Sequence, residues 1–342
     1  MKENIKQLSL EELTGVLVSW KEPAFRAGQI FSWVYQKGAD DFAKMSNLPE
    51  PLRRRLGENF SLSGLELASS REALDGTKKF LFKLPDDKFI EAVNIPAEKR
   101  VTGCISSQAG CKFACAFCAS GALGFKRNLS SSEILDQVLY LKNDSSQALT
   151  HIVFMGTGEP LDNYDNVLKA VRIMNSDWAF NIGARRITIS TCGLVPAIAR
   201  LAEEGLQIEL SVSLHAADDK TRNALMPINK RYPIKELIDS CRKYINRTNR
   251  QVTFEYILAK GVNSDLPSAG KLSRILGGLN CKVNLIPINP QKEAGLQPPS
   301  KLDILFFRDA LVKSGVAVTL RRPRGQDIEA ACGQLRLRYE KD

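Results

Sequence analysis

Four of the eight cysteines fall between positions 104 and 118, and three of these, Cys111, Cys115 and Cys118, have the spacing C-x3-C-x2-C. Three thiolates at this spacing suit a 4Fe–4S cluster with one iron left without a protein ligand, and an open iron can bind a small molecule. A tetrahedral zinc site using Cys104 as a fourth ligand is the competing assignment. The C-x6-C interval from Cys104 to Cys111 fits it poorly, because zinc knuckles pair ligands two to four residues apart. Cysteine use of this kind points to metal or redox chemistry in a reducing compartment rather than to structural disulfides.

The elements that position the cluster loop follow from periodicity. From residue 101 onward, runs rich in β-branched residues predict strands near 102–106, 150–155, 186–191, 207–214, 252–258, 282–287 and 316–321. Amphipathic segments between them predict helices over 131–142, 166–174, 196–204, 234–246, 269–276 and 302–313. A repeating βα unit winds into an open doubly wound sheet or into a full or partial barrel. The first sixty residues read as a helical appendage (1–60), opened by a capping box from Ser9 to Glu12. Asp75-Gly76 and Pro85-Asp86-Asp87 punctuate extended runs, predicting a β-meander over 61–96 that links the appendage to the catalytic domain, 97–342.

In a barrel, functional groups gather where strands hand over to helices. Gly158 and Glu159 lie in such a turn, Ser190 and Ser213-Leu214-His215 end two further strands, and Asn289 follows another. Glycine lets the backbone approach a ligand, and a carboxylate can accept from an ammonium group. His215 is as readily a hydrogen-bonded strand-end residue as a catalytic one. The chain has 342 residues, 44% hydrophobic, and a net charge of +10, which favours a polyanionic partner. No apolar run reaches membrane-spanning length and the N-terminus lacks a signal-peptide core, so a cytoplasmic location is expected, with no membrane partner.

The C-x3-C-x2-C loop, with Phe117 before its last cysteine, resembles the radical S-adenosylmethionine superfamily. Cys104 to Cys111 and Arg324 to Leu335, together with Phe125 to Leu129, the Gly158-Glu159-Pro160 turn, Ser213 to Ala216, Pro227 to Lys230 and Leu285 to Pro287, resemble the RlmN family of dual-specificity RNA methyltransferases. The resemblance covers most of residues 89 to 335. It implies a partial (βα)6-type barrel, one 4Fe–4S cluster per chain held by Cys111, Cys115 and Cys118, and S-adenosylmethionine bound by Gly158, Glu159, Ser190, Ser213, Leu214, His215 and Asn289. The cofactor's amino and carboxylate groups would chelate the open iron, and one electron would cleave the sulfonium to a 5′-deoxyadenosyl radical.

The resemblance further implies methylation of C2 of an adenosine in 23S rRNA and in tRNA, with two S-adenosylmethionine molecules consumed per methyl group. Cys332 would take a methyl group as a thiolate nucleophile, the radical would abstract hydrogen from it, and the base would become tethered to Cys332. Cys104 would resolve the tether by forming a disulfide with Cys332, and Glu91 would act as base. Read without the resemblance, Glu91 is a strand carboxylate facing solvent and Cys332 a small apolar residue. A monomer reduced by an electron donor such as a flavodoxin system is expected. Candidate RNA contacts are Arg53-Arg54-Arg55, Lys78-Lys79, Lys126-Arg127, Lys230-Arg231 and Arg321-Arg322 with Arg324.

Thr157, Cys192 and Ile288 depart from the pattern expected of the family, which has methionine, serine or threonine, and a bulkier residue there. Ala109 and Pro160 favour the C2 enzyme over the related Cfr type, which methylates C8 of adenosine and confers antibiotic resistance. A zinc-stabilised RNA-binding protein without catalysis would explain the charge and Cys104 to Cys118, but gives no reason for Cys332.

Overall fold

Alternation in the extended runs and turn residues between them produce one ten-stranded sheet. The computed structural model describes residues 2–122, 124–289, 295–321 and 324–330; Cys332 and Arg322 lie outside the described residues. The strands are β1 (Glu66–Glu72), β2 (Lys78–Lys83), β3 (Phe89–Ala97), β4 (Arg100–Cys104), β5 (Leu149–Phe154), β6 (Ile187–Thr191), β7 (Glu209–Ser213), β8 (Val252–Leu258), β9 (Cys281–Pro287) and β10 (Ala317–Leu320). They are ordered β10-β9-β8-β7-β6-β5-β4-β3-β2-β1, so the sheet is open at both ends.

From β4 to β10 every neighbouring pair is parallel, and helices including Ser131–Asp144, Tyr164–Asn175, Val195–Ala202, Ile234–Thr248, Leu266–Leu276 and Lys301–Lys313 connect them. This is the expected partial barrel, six βα units with a seventh parallel strand. Parallel strands covered by helices read as continuous apolar runs, and β8 accordingly is buried along its whole length. An additional short helix, Asp219–Leu225, opens the β7 to β8 connection; its sequence, with Asp, Lys, Thr, Arg and Asn in five consecutive places, offered no apolar period.

The meander does more than link. β1, β2 and β3 pair antiparallel, and β3 pairs antiparallel with β4, extending the barrel sheet. Its register places Lys79, Val93 and Cys104 in one cross-strand row, with Glu91 two residues along on the same face.

The N-terminal helices Leu10–Ser19, Arg26–Phe31 and Glu50–Asn59 share a single apolar core with the barrel helices. The Ser9–Glu12 capping box forms as the spacing predicts. Tyr35 meets Phe180 with ring centroids 5.3 Å apart, and Lys142 Nζ donates to the carbonyls of Tyr35 and Gln36 at 2.9 and 2.8 Å. Lys6 forms a buried ion pair with Asp136, whose carboxyl burial raises to about 6 against the pull of that lysine. Breaking such a pair strands a buried charge, so Lys6→Met should lower unfolding stability in urea by about 3–5 kcal/mol. The loss should shrink on going from about pH 8 to about pH 5, where the stranded carboxylate takes up a proton.

Candidate cluster and cofactor site

The cysteine loop runs from β4 to the helix Ser131–Asp144 with little regular structure, so side chains must satisfy its backbone. Ser106 N–H donates to Gln137 Oε1 at 2.8 Å, and Gln137 Nε2 donates back to the Ser106 carbonyl at 3.0 Å. Asn163 Nδ2 donates to the carbonyls of Ser107 and Leu129 at 2.8 and 2.7 Å, closing the base of the loop. Gln108 Oε1 accepts the Glu159 N–H at 2.9 Å, while its Nε2 donates to Asn128 and Asp162, each at 2.8 Å. Gly110 has a φ of 75°, and a Cβ there would stand 1.8 Å from the Gly124 carbonyl oxygen; only glycine fits.

Cys111, Cys115 and Cys118 line one cavity at the C-terminal ends of the strands. Burial pushes the Cys111 thiol up to about 12 and lifts Cys115 as well, with Cys118 adding to both. Thiols in this setting become thiolates only when a metal compensates their charge, and an iron–sulfur core meets that condition. Among the described residues no three His, Cys, Asp or Glu side chains converge to hold a single metal ion. Cys104, the fourth ligand a zinc site would need, lines a second cavity inside the barrel instead.

Six of the seven strand-end residues expected to bind cofactor line the cluster cavity: Gly158, Glu159, Ser190, Ser213, His215 and Asn289. Leu214 does not. Its side chain is buried in the apolar core. Ser213, which ends β7, faces the cavity, and Leu214, the next residue, points to the other side of the sheet. The cavity also takes in Cys192 and Ile288, two of the departures from the family pattern, and Thr191 and Ile257, which gave no signal in the sequence beyond position near a strand end.

Glu159 is buried and doubly engaged: Oε1 accepts the Leu161 N–H at 3.0 Å and Oε2 the Cys192 N–H at 2.6 Å. It therefore ties the β5 turn to the end of β6, with burial holding its carboxyl above the usual range against these bonds. His215 adopts a φ of 57°. Its Nδ1 accepts the Ile257 N–H at 3.1 Å, and its ring stands edge-on to Phe117, centroids 4.6 Å apart. Burial, then Arg222, lowers its pKa to about 3. A neutral imidazole that accepts at Nδ1 carries its proton on Nε2, so His215 is a packing and hydrogen-bonding residue, not an acid near neutral pH.

The barrel cavity shares Met155, Glu255, Ile286, Asn289 and Arg321 with the cluster cavity. Cys104 packs there with Val93 and Ala330, two residues before Cys332. The chain from Arg324 to Ala330 is held against the meander turn by Gly325 N–H to Asp75 Oδ2 at 3.2 Å and Leu74 N–H to Asp327 Oδ2 at 3.0 Å. Gln326 Nε2 donates to Asn289 Oδ1 at 2.7 Å, linking this segment to the cluster cavity.

Glu91 is not the solvent-facing carboxylate its strand position suggested: it is 3% exposed. β3 is an interior strand, and the face carrying Glu91 and Val93 lies under the C-terminal segment. Glu91 Oε1 pairs with Lys79 at 3.2 Å, while Oε2 is buried without a hydrogen-bond partner among the described residues. Burial raises its carboxyl to about 7, with Lys79 opposing. Two expected RNA contacts are thereby occupied within the fold: Lys79 by Glu91, and Arg127 by Asp86 and Glu133. Lys126, Lys230, Arg231 and Arg324 are exposed.

Residues 105–267 match the family described as the radical SAM superfamily, and residues 3–62 match the ribosomal RNA large subunit methyltransferase N-terminal domain. The crystal structure of a radical SAM methyltransferase from Sphaerobacter thermophilus is similar at a TM-score of 0.93 and 45% identity, covering 98% of this chain and 99% of that one. Fold and site thus define a radical SAM methyltransferase. Curated proteins named probable dual-specificity RNA methyltransferase RlmN are 46% identical in Clostridium tetani and 42% in Lachnospira eligens, each over 340 residues, 99% of this chain and 97% of theirs. This chain belongs to the RlmN family of dual-specificity RNA methyltransferases.

Gly158 has a φ of 107°, and a Cβ there would meet Gln108 Cβ at 2.6 Å. Gly158→Ala should weaken S-adenosylmethionine binding at least about tenfold in calorimetry, with the overall fold retained by circular dichroism, because the strain of about 1–3 kcal/mol falls on the turn that lines the cavity.

Proposed function

We propose that the chain methylates C2 of an adenosine in 23S ribosomal RNA and in transfer RNA, with Cys332 as methyl carrier, Cys104 as resolving thiol and Glu91 as base. The observation that carries this reading is that Cys104 and Ala330 line a barrel interior adjoining the cluster cavity and pack with Val93, while Glu91 lies two residues along β3 from Val93 on the same face of the sheet. Full-length similarity to proteins named RlmN supports C2 over the C8 chemistry of the Cfr type.

Cys111, Cys115 and Cys118 would hold a 4Fe–4S cluster, one per chain, and Gly158, Glu159, Ser190, Ser213, His215 and Asn289 would surround S-adenosylmethionine. When bound, cluster and cofactor supply a methyl group and, from a second cofactor molecule, a carbon-centred radical. The protein's part is positional and acid–base. Asn289, bonded to Gln326, would tie the cofactor pocket to the segment Arg324 to Ala330 that leads to Cys332 in the chain. Cys104 packs on Ala330, two residues before Cys332 in the chain, and would attack the Cys332 sulfur that tethers the base, forming a disulfide as the carbon–sulfur bond breaks and its electron pair leaves with the carbon. Glu91 takes the ring proton. A flavodoxin system supplies electrons in the cytoplasm; among the described residues no helix is long and apolar enough to cross a membrane.

Reconstituted protein, incubated anaerobically with a 23S rRNA fragment, S-adenosylmethionine and reductant, should yield 2-methyladenosine by mass spectrometry of the digested RNA, and Cys332→Ala should yield none. An 8-methyl product would overturn the carbon assignment. Glu91 must be ionised to act as a base, so turnover should fall on acidification below about pH 7, where the buried carboxyl becomes protonated. Glu91→Gln should slow methylated-product formation by about 10²–10⁴-fold while 5′-deoxyadenosine continues to form.

A further inference from the structure

Arg222 is completely buried and belongs to neither the cavity lining nor the set of roles assigned above. It stands on the short helix Asp219–Leu225, whose N-terminus Asp218 caps by accepting the Thr221 N–H at 2.9 Å. Its guanidinium makes four hydrogen bonds, all to neutral oxygens. Nε donates to the Leu214 carbonyl at 3.1 Å, Nη1 to Asn229 Oδ1 at 2.9 Å, and Nη2 to the carbonyls of Cys192 and Ser213 at 2.8 and 3.0 Å. Asn229, in the Pro227-to-Lys230 motif, is itself fixed by donating to Asp219 and Asn223 at 2.9 and 2.8 Å.

Neutral partners satisfy the donors, and the Asp219 carboxylate on the same helix reaches the charge only across Asn229, so no anion touches the guanidinium among these bonds. A guanidinium stays protonated in a protein interior, and an unpaired buried charge costs several kcal/mol. Burial of this kind calls for an anion nearby. The same helix supplies the contact: the Ala116 N–H donates to the Leu225 carbonyl at 2.9 Å, and Phe113, Cys115 and Phe117 pack on Leu225 and Met226. Arg222 is thereby locked to the ends of β6 and β7 and, through its helix, to the cysteine loop. Three thiolates around an iron–sulfur core leave a net negative assembly, and reduction adds to that charge.

We propose that Arg222 is the buried counter-charge of the cluster site, a positioning residue whose fixed positive charge favours the reduced cluster while its hydrogen bonds hold the strand ends. This rests on the reading that Cys111, Cys115 and Cys118 hold the cluster, and it explains why a guanidinium occupies a place that backbone carbonyls alone would not justify. Charge near a cluster is one of the levers that set its potential.

The test compares Arg222→Lys, which keeps the charge, with Arg222→Gln and Arg222→Met, which remove it. Each is examined without cluster by circular dichroism, and after reconstitution by redox titration monitored by electron paramagnetic resonance. The neutral variants should fold without cluster, load iron, and show at least a tenfold fall in the equilibrium constant for one-electron reduction, a shift of 59 mV to more negative potential; the lysine variant should stay near the parent value. Equal potentials in all variants would overturn the proposal. So would failure of the neutral variants, or of all three, to fold without cluster, since the residue would then serve the fold alone. A parent protein that binds no iron–sulfur cluster would remove the underlying reading, a failure recognisable before any variant is made.

Discussion

The cysteine loop has only a two-residue ladder of its own, Gln108–Ala109 against Arg127–Asn128, and the rest of the site depends on how the remainder of its backbone is satisfied. Gln137, Asn163 and Gln108 do the work that neighbouring strands do elsewhere, each reaching from a barrel helix or from within the loop to specific amides and carbonyls. Because an unpaired buried backbone group costs as much as a lost hydrogen bond, the loop has one low-energy path. That path passes Gly110 under Gly124 and sets three thiols on the wall facing the strand ends. Glu159 then couples this wall to β6 through Cys192, so the loop and two strand ends form one hydrogen-bonded unit.

Charge is handled differently on the two sides of the barrel mouth. On the cluster side His215 is held neutral and the carboxylate of Glu159 is spent on backbone amides. On the opposite side Glu91 retains one oxygen with no partner among the described residues and a pKa near the middle of the physiological range. A group poised at that point can exchange protons without a large driving force. Under the proposed roles, this division would keep electron chemistry apart from proton chemistry.

The barrel was legible because its strands and helices carry strong periods: the predicted runs at 252–258 and 234–246 correspond to β8 and to the helix Ile234–Thr248. The strand-end polar residues were legible by position alone, and all but Leu214 reach the cavity. What could not be read was burial that depends on a third element. Glu91 looks exposed until Arg324 to Ala330 is laid over its strand. Arg222 looks like one charge among several in a polar stretch until three carbonyls from the ends of β6 and β7 close around its guanidinium. Lys79 and Arg127 looked like RNA contacts because nothing in the sequence shows which carboxylate lies across from them. Cys332 lies outside the described residues.

The N-terminal helices match their own family and the barrel matches another, as though two modules had been joined. The packing says otherwise. One apolar core runs through both, the meander belongs to the barrel's own sheet, and Lys6 and Asp136 neutralise each other across the join. Recombination at the boundary between the two matched regions would thus cut through an interior rather than a hinge, and the two halves are bound to diverge together: a change in the helical part is transmitted, through shared packing, to the barrel scaffold.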